Sequence, residues 1–470
     1  MNAPDKLDVP ISRVIADFAS DLRFERLPSA FVDFAKDHII DVVGTSLAAT
    51  RFDFAYRALA GLGTLADGAG GTVIGMAQRL PLKDAALMNG VLAHGLDYDD
   101  THATGPVHPS SSAFPCALAV GEHVDCSGRE LLLAYALGIE IATRLGLAAN
   151  GTMHKVGFHT TGIVGHGACA VAAGKLLGLN ADQLANAQGL AGSTASAIAE
   201  HRKDGAWNKR IHPGWAAVGG MTAASLARAG FIGTKKVYEG GDGLFRTHAG
   251  SHFEDVDLGA ITDGLGERWR AEEVAIKPYP VCHILHAPID SAIELRRQHE
   301  LRPADIAKVR VLLHPDTFHY VCDNPEMRRR PTSDYMAKFS AHYTTAVALI
   351  RGKCGFAELE QDAIGDPQIL ALAQRVEHAA DPKSAFPEYF SGGVEVTLAN
   401  GRVVAHHDRV NRGAGERALN RAEIAQKFLD NAAFAMSESR AEEMLDALLG
   451  MERLSGREVA KAVSTGAPVR

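Results

Sequence analysis

Thr160-Thr-Gly-Ile-Val-Gly-His-Gly-Ala-Cys-Ala-Val-Ala-Ala-Gly-Lys-Leu-Leu177 is an apolar run built mostly from small residues, with Gly178 behind it. It reads as a helix that stops at that glycine. Alanine and glycine on a helix surface let neighbouring helices approach closely, which suits a central, buried position. Segments 182–198 and 214–229 share this composition, the second with Gly230 as its stop. Together they predict a core of mutually packed helices. Working outward, Asp84 to Leu92 is an apolar helical segment that delivers His94 and Asp97 at its end. Ser127-Gly-Arg-Glu130 is a capping box ahead of Leu131 to Leu145, and Asn180-Ala-Asp-Gln183 repeats the device. Residues 11 to about 265 therefore read as mostly helical.

The texture changes after about residue 270. Ala307 to Leu313 alternates like a strand, and Val394–Leu398, Asn400-Gly401 and Arg402–Ala405 read as a tight hairpin. Helical stretches fall at 284–297 and 337–351. Asn420-Arg-Ala-Glu423 opens a return to helix that runs to about residue 450. The expected class is mainly α. A large all-helical domain comes from both chain ends (1–268 with 409–470), and an α+β domain (269–408) is inserted in it.

Composition bounds the function. The chain has 470 residues, 46% of them hydrophobic and 22% charged, as in ordinary globular proteins. A formal charge of −8 argues against a general nucleic-acid binder, yet leaves room for a locally positive pocket. No stretch supplies the roughly 18 uninterrupted apolar residues of a spanning helix. Asp5, Lys6 and Asp8 precede any apolar run, unlike a secretory signal. Six scattered cysteines form no C-x-x-C pair and no iron–sulfur spacing. These features predict a cytoplasmic protein without disulfides and without membrane association.

His94-Gly-Leu-Asp-Tyr-Asp-Asp-Thr-His-Ala-Thr-Gly-Pro-Val-His108 holds three histidines and three aspartates. Turn and cap roles would explain some of them. A metal site would use the same donors, but the helical His-x-x-x-His and EF-hand spacings are missing. Acid/base chemistry fits best, because imidazole titrates near neutrality and a neighbouring carboxylate fixes its tautomer. Three further clusters stand before apparent helices: Lys155–Gly162 with His159, Trp207–Trp215 with Lys209 and His212, and Ile276–His283 with Lys277. Helix N-termini favour anions, so convergence of these ends would make a cationic pocket for a small polycarboxylate. Other motifs rank lower. Gly61-Leu-Gly63-Thr-Leu-Ala66 lacks the strand a dinucleotide fingerprint needs, and Glu239–Gly243 reads as a tight turn. Arg328-Arg-Arg330 reads as a solvated run, Cys169 as packing, and Glu140 as buried and either paired or protonated.

At this point the chain resembles the MmgE/PrpD family, which includes 2-methylcitrate dehydratase, cis-aconitate decarboxylase and iminodisuccinate epimerase. The resemblance rests on His38-Ile-Ile-Asp-Val-Val-Gly44, Leu96-Asp-Tyr-Asp-Asp-Thr101 with His108-Pro, and Gly157-Phe-His159. It extends through Lys209-Arg-Ile-His212, Glu239-Gly-Gly-Asp-Gly-Leu-Phe245 and Lys277-Pro-Tyr-Pro. It ends at Pro331-Thr and Ala337-Lys-Phe-Ser-Ala-His-Tyr343. It implies a helical domain with an inserted lid domain, a homodimer, and no required metal or organic cofactor. By similarity to the decarboxylase branch, the site positions are Asp97, Thr101, His108, His159, Lys209, Lys277 and Tyr343. The Asp97–His108 loop reads one residue longer than in that branch. The expected activity is a cofactor-independent hydro-lyase acting on a di- or tricarboxylate, like 2-methylcitrate dehydratase. Epimerisation of a dicarboxylate such as iminodisuccinate, decarboxylation of cis-aconitate, or non-catalytic carboxylate binding are the alternatives. In this scheme His159, then His108, moves the proton, Asp97 orients a histidine, and Tyr343 supplies a second proton. Lys209, Lys277, His212 and Thr101 hold substrate.

Overall fold

The computed structural model describes residues 9–65, 67–201 and 205–465. It is mainly helical with small sheets, and it divides into two compact units. Unit 1 takes residues up to Val274 and again from Asn420, so both ends of the chain build it; unit 2 is Ala275–Leu419.

In unit 1 the helices are α1 (Ile11–Asp21), α2 (Ser29–Ala49), α3 (Asp53–Gly63), α4 (Leu82–His94), α5 (Ser110–Val124) and α6 (Gly128–Ala149). They continue with α7 (Thr152–Val156), α8 (Thr160–Leu176), α9 (Ala181–Gly192) and α10 (Asn208–Arg228). A short pairing of β1 (Gly71–Thr72) with β2 (Arg79–Leu80) interrupts them. The predicted capping boxes Ser127/Glu130, Asn180/Gln183 and Asn420/Glu423 are all formed.

The glycine-rich run is the centre of the unit. Every residue of α8 from Thr160 to Gly174 is buried, and α8 packs on α5, α6, α9 and α10. The small residues are needed at the crossings. A Cβ on Gly220 of α10 would lie 2.4 Å from Cys169 Cβ. A Cβ on Gly90 of α4 would lie 2.3 Å from the Gly214 Cα of α10. Such contacts fix α4, α8 and α10 against one another, and they position His94, His159 and His212.

α6 is apolar and, at 22 residues, long enough to span a bilayer, but its most apolar stretch is wholly buried inside the protein. Its charged pair is satisfied internally. Arg144 Nε donates to Glu140 at 2.5 Å, and the guanidinium also donates to the carbonyls of Asp263 and Arg268. Burial raises the Glu140 pKa while Arg144 opposes it. The C-terminal segment returns to the same unit. Helix Arg421–Ala432 packs on α2, where Lys427 Nζ lies 2.6 Å from Asp41, and Gly456–Val463 packs on α5.

Three expected boundaries move. The 182–198 helix ends at Gly192, Ser193 and Thr194 form a turn, and Ile198 then bridges to Phe158 in the chain before α8. The 214–229 helix begins earlier, at Asn208, so Lys209 and His212 lie inside α10 instead of ahead of it. The 337–351 stretch is two helices, Asp334–Lys338 and Ala341–Arg351, separated where Ser340 turns its side chain to cap Tyr343 N–H.

Unit 2 contains a four-stranded sheet, ordered β4-β3-β5-β6, from β3 (Ile306–Leu313), β4 (Val376–Ala380), β5 (Gly392–Leu398) and β6 (Val403–Asp408). The predicted strand and hairpin are β3 and β5–β6, with Gly401 at φ +84° in the turn. Strand β4, parallel to β3, was not anticipated. Val309, Val311, Val376, Val394 and Val396 are buried, while Lys308–Glu377 and Arg310–Glu395 pair across neighbouring strands. The Arg328–Arg330 run is not a solvated stripe. Arg328 is buried and donates to Asp323 and the Tyr320 carbonyl.

Candidate active site

The site in unit 1 starts at the C-terminus of α4. His94 is its last residue, and Asp97 follows in left-handed conformation at φ 55°. That conformation is uncommon for a residue with a side chain. It reverses the chain, so that Asp99 Oδ2 comes back to His94 Nδ1 at 2.7 Å. Asp99 is fully buried, and its Oδ2 also lies 3.7 Å from His108 Nδ1. Asp100, equally buried, bonds His38 Nδ1 at 2.7 Å and accepts from the Ser110 hydroxyl at the start of α5. Its carbonyl accepts from His108 Nδ1 at 2.8 Å, and Thr101 Oγ1 is 3.1 Å from the same nitrogen. Carboxylate and carbonyl oxygens only accept here, so His94 and His108 both carry the proton on Nδ1.

His159 caps the N-terminus of α8, with its backbone N–H on the Ala197 carbonyl at 2.9 Å. The extended pairing of Phe158 with Ile198 thus fixes the base of its side chain. Its Nδ1 faces His212 Nδ1 at 3.1 Å, so one ring donates and the other accepts. Its buried Nε2 has no hydrogen-bond partner among the described residues. The His159 ring stacks on His94 at 5.3 Å and lies 6.1 Å from His108. One ring nitrogen from each of His94, His108 and His159 lies within 4.8 Å of the other two, a grouping among the described residues that could hold a metal. The sequence shows no ligand spacing because the third imidazole comes from another helix.

Lys209, in the first turn of α10, forms an ion pair with Asp97. Burial, together with His94, Lys209, His212 and His108, pushes the His159 pKa well below the ordinary histidine value. Burial first, then His201, His94 and Lys209, push His212 down to about 3. Both rings are therefore neutral near pH 7. A neutral, buried imidazole with an open nitrogen is fit to take a proton. Lys209 and the N-terminus of α8 supply positive potential beside it.

Six of the eight residues singled out from sequence come together here: Asp97, Thr101, His108, His159, Lys209 and His212. Three of them make contacts that the sequence does not foretell. Asp97 charge-balances Lys209. Thr101 bonds His108. His212, neutral and turned onto His159, is no cation for a carboxylate. Lys277 and Tyr343 belong to unit 2, where both are buried. The Tyr343 hydroxyl donates to the Glu358 carbonyl at 2.8 Å, so its proton already serves the fold. Sequence reasoning gave no role to His94, Asp99, Asp100 or His38, although all four lie in motifs it quoted.

Curated relatives resemble this chain over nearly its whole length. The cis-aconitate decarboxylase of Aspergillus terreus (strain NIH 2624 / FGSC A1156) is 27% identical over 95% of this chain and 94% of its own. The cis-aconitate decarboxylase of Mus musculus is 27% identical over 98% and 94%. That of Homo sapiens is 27% identical over 95% and 92%. The MmgE/PrpD N-terminal domain matches residues 13–255, which contain every histidine of the site, and the MmgE/PrpD C-terminal domain matches 279–452. The chain belongs to the MmgE/PrpD family.

Proposed function

We propose that the protein is a lyase that acts on a small di- or tricarboxylate without an organic cofactor, through proton transfer at a carbon next to a carboxylate. The observation that carries this reading is the neutral, buried His159, whose Nε2 has no hydrogen-bond partner among the described residues and whose ring lies beside those of His94 and His108, with Lys209 of the Lys209–Asp97 pair near enough to shift it. Removing or adding such a proton passes through an enolate-like state with extra negative charge. Fixed cations and helix-end N–H groups stabilise that state more than the ground state. His159 takes or returns the carbon proton, and His108 is the second proton carrier. The Asp99 carboxylate behind His94 and His108 stabilises whichever ring becomes imidazolium. Lys209 meets a substrate carboxylate in exchange for Asp97. Lys277 enters as a further carboxylate-binding residue on its sequence motif alone, and Tyr343 is left out.

Among lyase reactions, similarity to decarboxylases favours loss of carbon dioxide from an unsaturated tricarboxylate. Elimination of water from a hydroxylated tricarboxylate and epimerisation of a dicarboxylate would use the same proton transfer. NMR of the protein in heavy water with a panel of di- and tricarboxylates separates them. Deuterium incorporation with carbon dioxide release marks decarboxylation, a new alkene marks dehydration, and exchange without net change marks epimerisation. No exchange or turnover with any carboxylate, despite saturable binding, would reduce the protein to a carboxylate binder and overturn the proposal. A homodimer is the proposed assembly, to be read from sedimentation equilibrium.

A further inference from the structure

Three observations around the imidazoles concern cations instead of carboxylates. First, His94, His108 and His159 bring one ring nitrogen each within 4.8 Å of the others. Second, all three rings are held through Nδ1: His94 by Asp99, His108 by the Asp100 carbonyl, and His159 by His212. Metal-binding histidines are oriented as His94 and His108 are, with one nitrogen on a carboxylate or carbonyl and the other left for the ion, and His212 holds His159 in their place. Third, the buried charge favours a cation. Asp97 is balanced by Lys209, whereas among the described residues Asp99 meets the His94 and His108 imidazoles, and Asp100 meets the His38 imidazole and the Ser110 hydroxyl and N–H.

We infer that His94, His108 and His159 form a three-nitrogen site for a borderline divalent cation of the zinc class, and that its occupancy silences the protein. Three imidazoles suit zinc, nickel or copper better than magnesium or calcium, which prefer oxygen. Zinc–nitrogen bonds of about 2.0–2.1 Å place tetrahedral ligands roughly 3.4 Å apart. The rings have to draw inward by up to about 1.4 Å, through side-chain rotation, with a water or a carboxylate in the fourth position. The binding claim stands by itself. The silencing claim rests on the proposed role of His159, because a metal on Nε2 occupies the lone pair that would take the proton.

Metal-stripped full-length protein titrated with Co2+ should develop ligand-field bands at one equivalent, and Zn2+ should abolish them. Asp99→Asn, which keeps the shape of the side chain, should weaken Co2+ binding about 10–100-fold, as loss of an outer-shell partner does. His94→Gln should weaken it further, and His252→Ala, on the exposed side of unit 1, should leave it unchanged. Circular dichroism checks that each variant keeps its helices. Absence of the bands, or equal affinity in the wild type, Asp99→Asn and His94→Gln, would overturn the site. Proton exchange into a carboxylate substrate is then followed separately, in metal-free protein with and without one equivalent of Zn2+. A loss of at least ~100-fold on adding Zn2+ is expected, the low end for a missing acid/base group. Undiminished exchange with Zn2+ bound would overturn the silencing. A protein that binds Co2+ yet shows no exchange even without metal fails as a proton-transfer enzyme while keeping the metal site.

Discussion

His159 meets three demands at once: a backbone pinned to Ala197, an Nδ1 engaged by His212, and a buried Nε2 without a hydrogen-bond partner among the described residues. Replacing it by alanine should leave the fold intact and lower kcat at least ~100-fold. Wild-type turnover by that variant would remove His159 from the chemistry. Because its pKa lies well below the usual histidine value, the ring stays neutral as the pH falls past 6.5. The acid limb of kcat/KM, which reports the free enzyme, should therefore lie below the ordinary histidine value of about 6.5. A limb at 6.5 or above would mean that an ordinary histidine is the base. Tyr343→Phe offers a contrast. It removes one hydrogen bond to the Glu358 carbonyl, so it should cost about 1 kcal/mol of stability and spare kcat. A large loss of kcat at unchanged stability would restore Tyr343 to the mechanism. At this scale the residue types were legible from sequence and many of their partners were not. The approach of Asp99 to His94 depends on the left-handed turn at Asp97, and the contact of His38 with Asp100 joins residues 62 positions apart. Neither follows from spacing along the chain.

The helices were legible where composition and caps agreed. The run at 160–177, the capping boxes at Ser127, Asn180 and Asn420 and the β5–β6 hairpin all appear where the sequence places them. The errors have tertiary causes. Pro213-Gly214 reads as a helix start, because proline lacks the N–H an interior turn needs. In the structure both residues sit within α10, where Gly214 lets α4 approach. The helix α9 stops at Gly192, and the chain it releases bridges Phe158 at Ile198, a contact with no signal along the sequence. Strand β4 was missed because its residues, Val376-Glu-His-Ala-Ala, carry little alternation, and its position depends on the parallel pairing with β3. The α4–α10 crossing yields a prediction of its own. Gly90→Ala would put a methyl group 2.3 Å from Gly214 Cα, a backbone atom that side-chain rotation cannot move aside. The helices must separate, at a cost of about 1–3 kcal/mol. Since α4 ends at His94 and α10 carries Lys209 and His212, activity should fall as well. Urea denaturation together with kcat tests this, and unchanged values for both would show that the crossing is not tight.

Across the whole molecule the buried histidines tie stability to pH. Burial lowers His166 to about 4, against a raising bond to the Gly162 carbonyl, and it lowers His212 to about 3. His159 is shifted the same way in unit 1, and in unit 2 His342 is lowered to about 3, by burial and then Arg329. In each case the unfolded ring, near 6.5, binds a proton before the folded one does. This stability is fully present above about pH 6.5 and is lost as the pH falls toward the folded values, at up to ~1.4 kcal/mol per pH unit per ring. Burial raises the pKa of Asp41, Glu140 and Asp290, so those carboxyls hold their protons more tightly in the fold and oppose the loss at lower pH. The histidine effect should dominate just below pH 6.5, where ordinary carboxylates of the unfolded chain are still ionised. The tryptophans Trp207, Trp215 and Trp269 all lie in unit 1, so their fluorescence follows that unit alone. Its urea midpoint should drop between about pH 7 and pH 5.5, with the steepest change below about 6.5. A flat midpoint over that range would mean that the rings take up protons equally in both states and are not held neutral by the fold.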